Sequence, residues 1–279
     1  MTEQMDRRAD ATRLQILQAA AHQFATRPYS QVNLDDILAS ADVTKGALYF
    51  HFRSKHALAT AVIEHRAEQG WAEFQQLSTR GLSGLETMID VAYLTAVSDI
   101  GEAQARAGLN LLESIGRFDR LQAKLLDVWV IGFAAMTRQA IAEGDVVDRI
   151  DPEHAARLLV SMYLGLRQTS NLDEPETYIG DLESIWMLVL PGIANPERLA
   201  YFAGFIGRRS ALAIKNAVPL RALCAQTIYD PVDGETPSHQ LMEVHEDGAP
   251  GQIRGHPAED HRLGSRPDQR DRLPRQRTR

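Results

Sequence analysis

Apolar residues recur every three to four positions along most of the chain, and no stretch holds the strict alternation of a strand. Leu14, Leu17, Ala21 and Phe24 mark one face of a helix over about 10–26. Arg27-Pro28-Tyr29-Ser30 ends it, because proline cannot continue the hydrogen-bond ladder. Asn33 suits the cap of a short second helix through Ala41, with Leu34, Ile37 and Leu38 turned inward. Thr44 caps a third over about 45–50, and Ser54 a fourth that runs to about 78. Further helices are predicted over roughly 83–100, 102–116, 119–143, 152–170, 176–190 and 196–214. Asp151-Pro152 supplies a cap and a helix-starting proline, and Pro191 and Pro196 bracket a break. The pattern predicts an all-α protein without internal repeats.

Composition narrows the class. The chain has 279 residues, 44% of them hydrophobic and 24% charged, enough to bury a core without disulfides or a structural metal. One cysteine, Cys224, excludes an internal disulfide and a cysteine-rich zinc site and fits a reducing compartment. A net charge of −7 argues against binding nucleic acid by charge alone but allows a local basic surface. Met1–Asp10 lacks the apolar segment of a signal peptide. The longest apolar stretches, such as Leu158 to Leu166 with Ser161 and Gly165 inside, fall short of the roughly 18 residues that span a bilayer. A cytoplasmic protein without a membrane partner is therefore expected.

Composition shifts near Asn216. Residues 216–248 hold six acids and one arginine, and residues 249–279 hold eight arginines, four acids, four prolines and three glycines. With few large apolar residues, this stretch cannot offset its ordering entropy, so 216–279 is expected to be a disordered tail. Its arginines read first as a solvated tail and second as a contact for nucleic acid or acidic partners.

The segment NLDDILASADVTKGALYFHFRSK, Asn33–Lys55, carries the chemistry. Ser40-Ala41-Asp42-Val43 joins two short helices at the turn length of a helix-turn-helix. The second helix would enter a major groove with Thr44, Lys45, Gly46 and Ala47 at its leading end. These residues are small or cationic, so the helix end can approach DNA closely, and its free N–H groups attract phosphate. Tyr49, His51 and Lys55 can donate to phosphates and set the register, as can a contact from Asn33. Leu48, Phe50 and Phe52 are expected in the core of this small domain. By spacing alone, an ordinary αα-corner in a helical enzyme fits equally well.

VTKGALYFHFRSKHAL resembles the helix-turn-helix signature of TetR-type transcriptional regulators, and the upstream first helix fits at the right spacing. KGALYFHF, with IWMLVLPGIANPERL from Ile185 to Leu199, is similar to the γ-butyrolactone autoregulator receptors of that family. The resemblance implies a three-helix DNA-binding domain over 1–56 and a helical ligand-binding and dimerisation domain over 57–215. It also implies a homodimer on a palindromic double-stranded operator, acting as a repressor released by a small apolar ligand. It places the four-helix dimer interface near 152–170 and 176–214, where Ala156, Leu159, Val160, Tyr163, Leu164, Ile185, Leu188, Val189, Phe202 and Phe205 supply apolar surface.

Trp129 maps to the subgroup's pocket tryptophan, although a core tryptophan fits the same position. Arg66 and Leu164 map to pocket positions that are often Gln and Thr, a departure that puts the ligand's identity as a butyrolactone in doubt. Read alone, Arg66 is a solvated-face residue. Trp71, Trp186, Met162 and Met187 read as packing. The runner-up is a TetR-type regulator of efflux or metabolism answering to another apolar ligand, or to a protein partner and no ligand. No phosphate-binding loop, nucleophile elbow, HExxH or catalytic carboxylate pair occurs, so no catalytic residue, metal or cofactor is expected.

Overall fold

The computed structural model describes residues 2–118 and 120–222. Ten α-helices follow one another in them: α1 (Thr2–Thr26), α2 (Leu34–Ala41), α3 (Lys45–His51), α4 (Lys55–Ser78), α5 (Gly84–Gly101), α6 (Ala103–Ile115), α7 (Leu121–Ala142), α8 (Pro152–Thr169), α9 (Pro175–Ile193) and α10 (Leu199–Asn216). The described residues form no sheet; Val146 and Ala194 make an isolated bridge. The fold is all-α, with an N-terminal helical bundle and a larger helical body.

Local chemistry sets the boundaries. Thr44, Ser54 and Asp151 accept hydrogen bonds from Ala47, Ala57 and His154, capping α3, α4 and α8. Ser83 and Glu86 complete a reciprocal capping box on α5. Asn33 precedes α2 without a side-chain cap. Asp42 turns the chain between α2 and α3 in the left-handed region (φ 49°), which Asp tolerates through its short polar side chain. Pro191 does not break the chain as expected. It lies in the last turn of α9, which runs on to Ile193.

Two main cores organise the helices. The first gathers Ile16, Leu17, Ala20, Ala21 and Phe24 of α1, Ile37, Leu48 and Phe52, the start of α4 through Ile63, and Ala107, Leu111, Leu112 and Ile115 of α6. Leu14, expected on the inner face of α1, is exposed, and Ile16 takes its place. The second core joins α5, α9 and α10 around Met88, Tyr93, Tyr178, Trp186, Phe202 and Phe205. A smaller cluster, Val130, Ala134, Ala156 and Val160, knits α7 to α8.

Three expectations change. Phe202 and Phe205 are buried within the protomer, and Leu159, Val160, Tyr163 and Leu164 line an internal cavity, so they offer no apolar face to a second copy. Leu188, by contrast, is exposed. Residues 217–222 do not begin a tail: Leu220 is buried in the first core, and Arg221 Nε lies 2.9 Å from Asp173 Oδ2. The rest of the expected tail, with Cys224, lies outside the described residues. Finally, α7 is long and apolar enough to cross a membrane by length and composition. Lys124, Asp127 and Arg138 interrupt its apolar stretches. The helix packs along α8 and α5 and walls the cavity, with Val128 and Ile131 left exposed.

Candidate DNA-reading surface and ligand cavity

Thr44, Lys45, Gly46 and Tyr49 are exposed on α3 and its cap, while Ala47 and His51 are half-buried. Asn33 is exposed at the start of α2. Leu48 and Phe52 anchor the helix from below. Burying a side chain of this size contributes about 1.5–3 kcal/mol, so α3 is held by its inner face while its outer face stays open. Phe50 was expected in that core and is instead 79% exposed beside Tyr49. Leu48 and Phe52 are one helical turn apart, and Phe50 falls midway between them on the opposite side. Gln15 Nε2 donates to Ala41 O at 2.7 Å and ties the turn to α1.

Lys55, expected on phosphate, spends two donors inside the domain. Its Nζ donates to Tyr29 O at 2.7 Å and Val32 O at 2.9 Å and lies 4.2 Å from the centre of the Tyr29 ring. It thereby fixes the loop that launches α2. The exposed Arg13 lies over Phe52 and adds a cation near α3 that no spacing in the sequence signals.

A cavity of about 500 Å³ opens between α4, α5, α6, α7, α8 and α9. Arg66, Trp129 and Leu164, three residues mapped from separate helices, all line it. Its wall also holds Trp71, Met162 and Trp186, expected as packing, and Phe74, Phe133 and Tyr163, which carry no local signal of a cavity. Burial pushes the Tyr163 phenol well above the usual tyrosine range, so the hydroxyl stays neutral. Arg66 does not lie on a solvated face: its side chain is 14% exposed and pairs with Glu73. Trp129 packs at once on the first core and on the cluster that joins α7 to α8. Among the described residues, no group of three His, Cys, Asp or Glu side chains converges as a metal site would require.

The sequence pattern of "Bacterial regulatory proteins, tetR family" matches residues 16–62, from α1 into α4. The A-factor receptor protein of Streptomyces griseus is 32% identical over 195 residues, covering 70% of this chain and 68% of that protein. The TetR family protein CprB of Streptomyces coelicolor, solved in complex with its biological operator sequence, superposes with a TM-score of 0.62 at 29% identity, over 73% of this chain and 98% of that one. A γ-butyrolactone receptor described as ArpA-like gives a TM-score of 0.63 at 29% identity, again over 73% and 98%. The chain therefore belongs to the TetR family of bacterial regulatory proteins: it is a sequence-specific, helix-turn-helix transcriptional regulator, not an enzyme, and is closely related to the γ-butyrolactone receptors.

Proposed function

We propose that the chain is a cytoplasmic, homodimeric repressor that holds a palindromic operator and releases it when a small, largely apolar ligand enters the cavity. Residues 1–56 read DNA, and residues 57–215 bind ligand and pair the protomers. Thr44, Lys45, Gly46, Ala47, Tyr49 and His51 meet the groove, with Asn33 at its edge. Lys55 supports them by holding the loop beneath, with one donor left for phosphate. Trp129 and Leu164 supply apolar wall.

The observation that carries this reading is the course of α4. Its first turns, through Ile63, belong to the core beneath the reading helix, and its later turns, from Arg66 to Leu77, wall the cavity. A ligand that moves the second half moves the first, and with it the separation of two reading heads. The ligand need only favour the non-DNA state: a 100-fold preference corresponds to about 2.7 kcal/mol of coupling. γ-Butyrolactones, after which the similar receptors are named, are one ligand class of this description. Control by a protein partner alone leaves the apolar cavity without a purpose.

Selection of bound DNA from a random pool, followed by gel shifts with lactones and other apolar compounds, tests the proposal. A two-fold-symmetric site should emerge, and the absence of any preferred palindrome would defeat the repressor reading. Trp129→Ala should abolish ligand release while operator affinity stays in place. Equal loss of both would identify Trp129 as structural packing.

A further inference from the structure

The cavity wall has one charge set into it. Four charged residues line the cavity: Arg66, Glu73, Arg80 and Glu102. Arg80 and Glu102 are exposed, and the Glu73 side chain is 51% exposed against 14% for Arg66. Arg66 Nη1 and Nη2 each donate to one Glu73 carboxylate oxygen at 3.1 Å. That uses two of the five N–H groups a guanidinium carries.

The backbone around Arg66 is cut to admit it. A Cβ on Gly108 of α6 would fall 2.9 Å from Arg66 Cβ and Cγ, so α6 clears the stem only as glycine. The guanidinium then lies against Gly70, with Nη1 3.5 Å from where a Cβ would stand. A cation in an apolar wall needs a partner. Glu73 serves, but half of that carboxylate faces water, and an ion pair open to water is weakly held. A carboxylate arriving from inside the cavity meets the same fork with water displaced, where a bidentate, charge-assisted pair is strong.

Resting on the ligand-cavity reading above, we infer that the cavity takes an amphipathic carboxylate rather than a neutral lactone. The apolar body lies among Trp129, Phe133 and Trp186, and the anionic head takes Arg66 from Glu73. Trp186 is 1% exposed and meets the cavity as apolar wall. Arg66 and Glu73 both belong to α4, so the exchange of partners acts on the helix that reaches the reading domain.

Quenching of the intrinsic tryptophan fluorescence of the full chain by dodecanoate, methyl dodecanoate and γ-dodecalactone at neutral pH tests this, with operator release measured in parallel. Dodecanoate should bind at least about tenfold tighter than either neutral probe, the margin expected of a desolvated charge-assisted pair. Arg66→Gln should erase that preference, and Arg66→Lys should restore part of it. Glu73→Gln, at a half-exposed position that leaves the fold intact, should tighten dodecanoate several-fold and leave the ester unchanged. Ester or lactone binding as tightly as the acid would overturn the anionic head and leave the ligand cavity standing. So would a Glu73→Gln protein with unaltered or weaker dodecanoate affinity. Failure of all three probes to bind or to release operator would overturn both readings together.

Discussion

Leu48 and Phe52 lie four residues apart and face the core, while Phe50 between them faces out. Hydrophobic character alone put all three inside; angular position on the helix separates them. An exposed phenylalanine next to an exposed Tyr49, on the helix that enters the groove, offers apolar surface to thymine methyls or sugars. Phe50→Ala should therefore weaken operator binding in gel shifts, and Tyr49→Phe should do so by removing a hydroxyl donor to phosphate, each with stability changed by no more than about 0.5 kcal/mol, the range of surface substitutions. Lys55→Ala should behave differently. It removes two charge-assisted bonds to the carbonyls of Tyr29 and Val32, so thermal unfolding should report a loss of about 2 kcal/mol alongside weaker operator binding. A Lys55→Ala protein with unchanged melting temperature but weak DNA binding would return that lysine to a pure phosphate contact.

The helices of the chain were legible because their evidence is local: periodicity, caps and prolines fall within a few residues of the boundary they set. Thr44, Ser54 and Asp151 were readable as caps for that reason. What joins helix to helix was not. Asp99 of α5 and Arg167 of α8 are far apart in sequence, and no local pattern links them. In the fold, both side chains are shut from water, with Arg167 Nε 2.5 Å from Asp99 Oδ2. Arg167 also donates to Glu113 Oε1 at 3.0 Å and Asn110 Oδ1 at 3.1 Å on α6. Asn110 Nδ2 in turn donates to Phe24 O of α1 at 3.2 Å. One polar chain thus ties α5, α6 and α8 to the end of α1. Such a pair contributes little over an apolar substitute, but half of it is costly to leave behind. Asp99→Ala leaves the buried guanidinium with only the partly exposed Glu113 as counter-charge and should cost about 3–5 kcal/mol in denaturant unfolding, while Asp99→Leu with Arg167→Met should recover most of it. A double variant as unstable as the single one would mean that the pair does more than neutralise itself. The cavity was half legible: Trp129, Arg66 and Leu164 came from a family resemblance, whereas Phe133 and Trp186 carry no signal that separates wall from core.

For the molecule as a whole, a single α3 of seven residues covers a small part of one duplex turn, so strong specificity needs two copies at a fixed spacing. The surface that could pair them is an apolar row on α9. Ser184, Met187, Leu188 and Pro191 are all exposed and follow at intervals of three, one and three, one face of a helix. α10 packs beside α9 and keeps Tyr201, Gly204, Ala211 and Leu212 exposed, small enough in places for a second pair of helices to come close. α8 cannot offer the face first expected of it, because Leu159, Val160, Tyr163 and Leu164 are committed to the cavity. Leu188 is 81% exposed, so a charge there costs the protomer almost nothing but would be buried unpaired between two copies. Leu188→Glu should therefore elute as a folded monomer with an unchanged helical spectrum and should lose the palindrome while keeping weak, salt-sensitive binding to any duplex. If Leu188→Glu stays dimeric with full operator affinity, the pairing face lies elsewhere. The exposed row on α9 would then need another occupant, because contiguous apolar surface of this kind seldom stays bare in water.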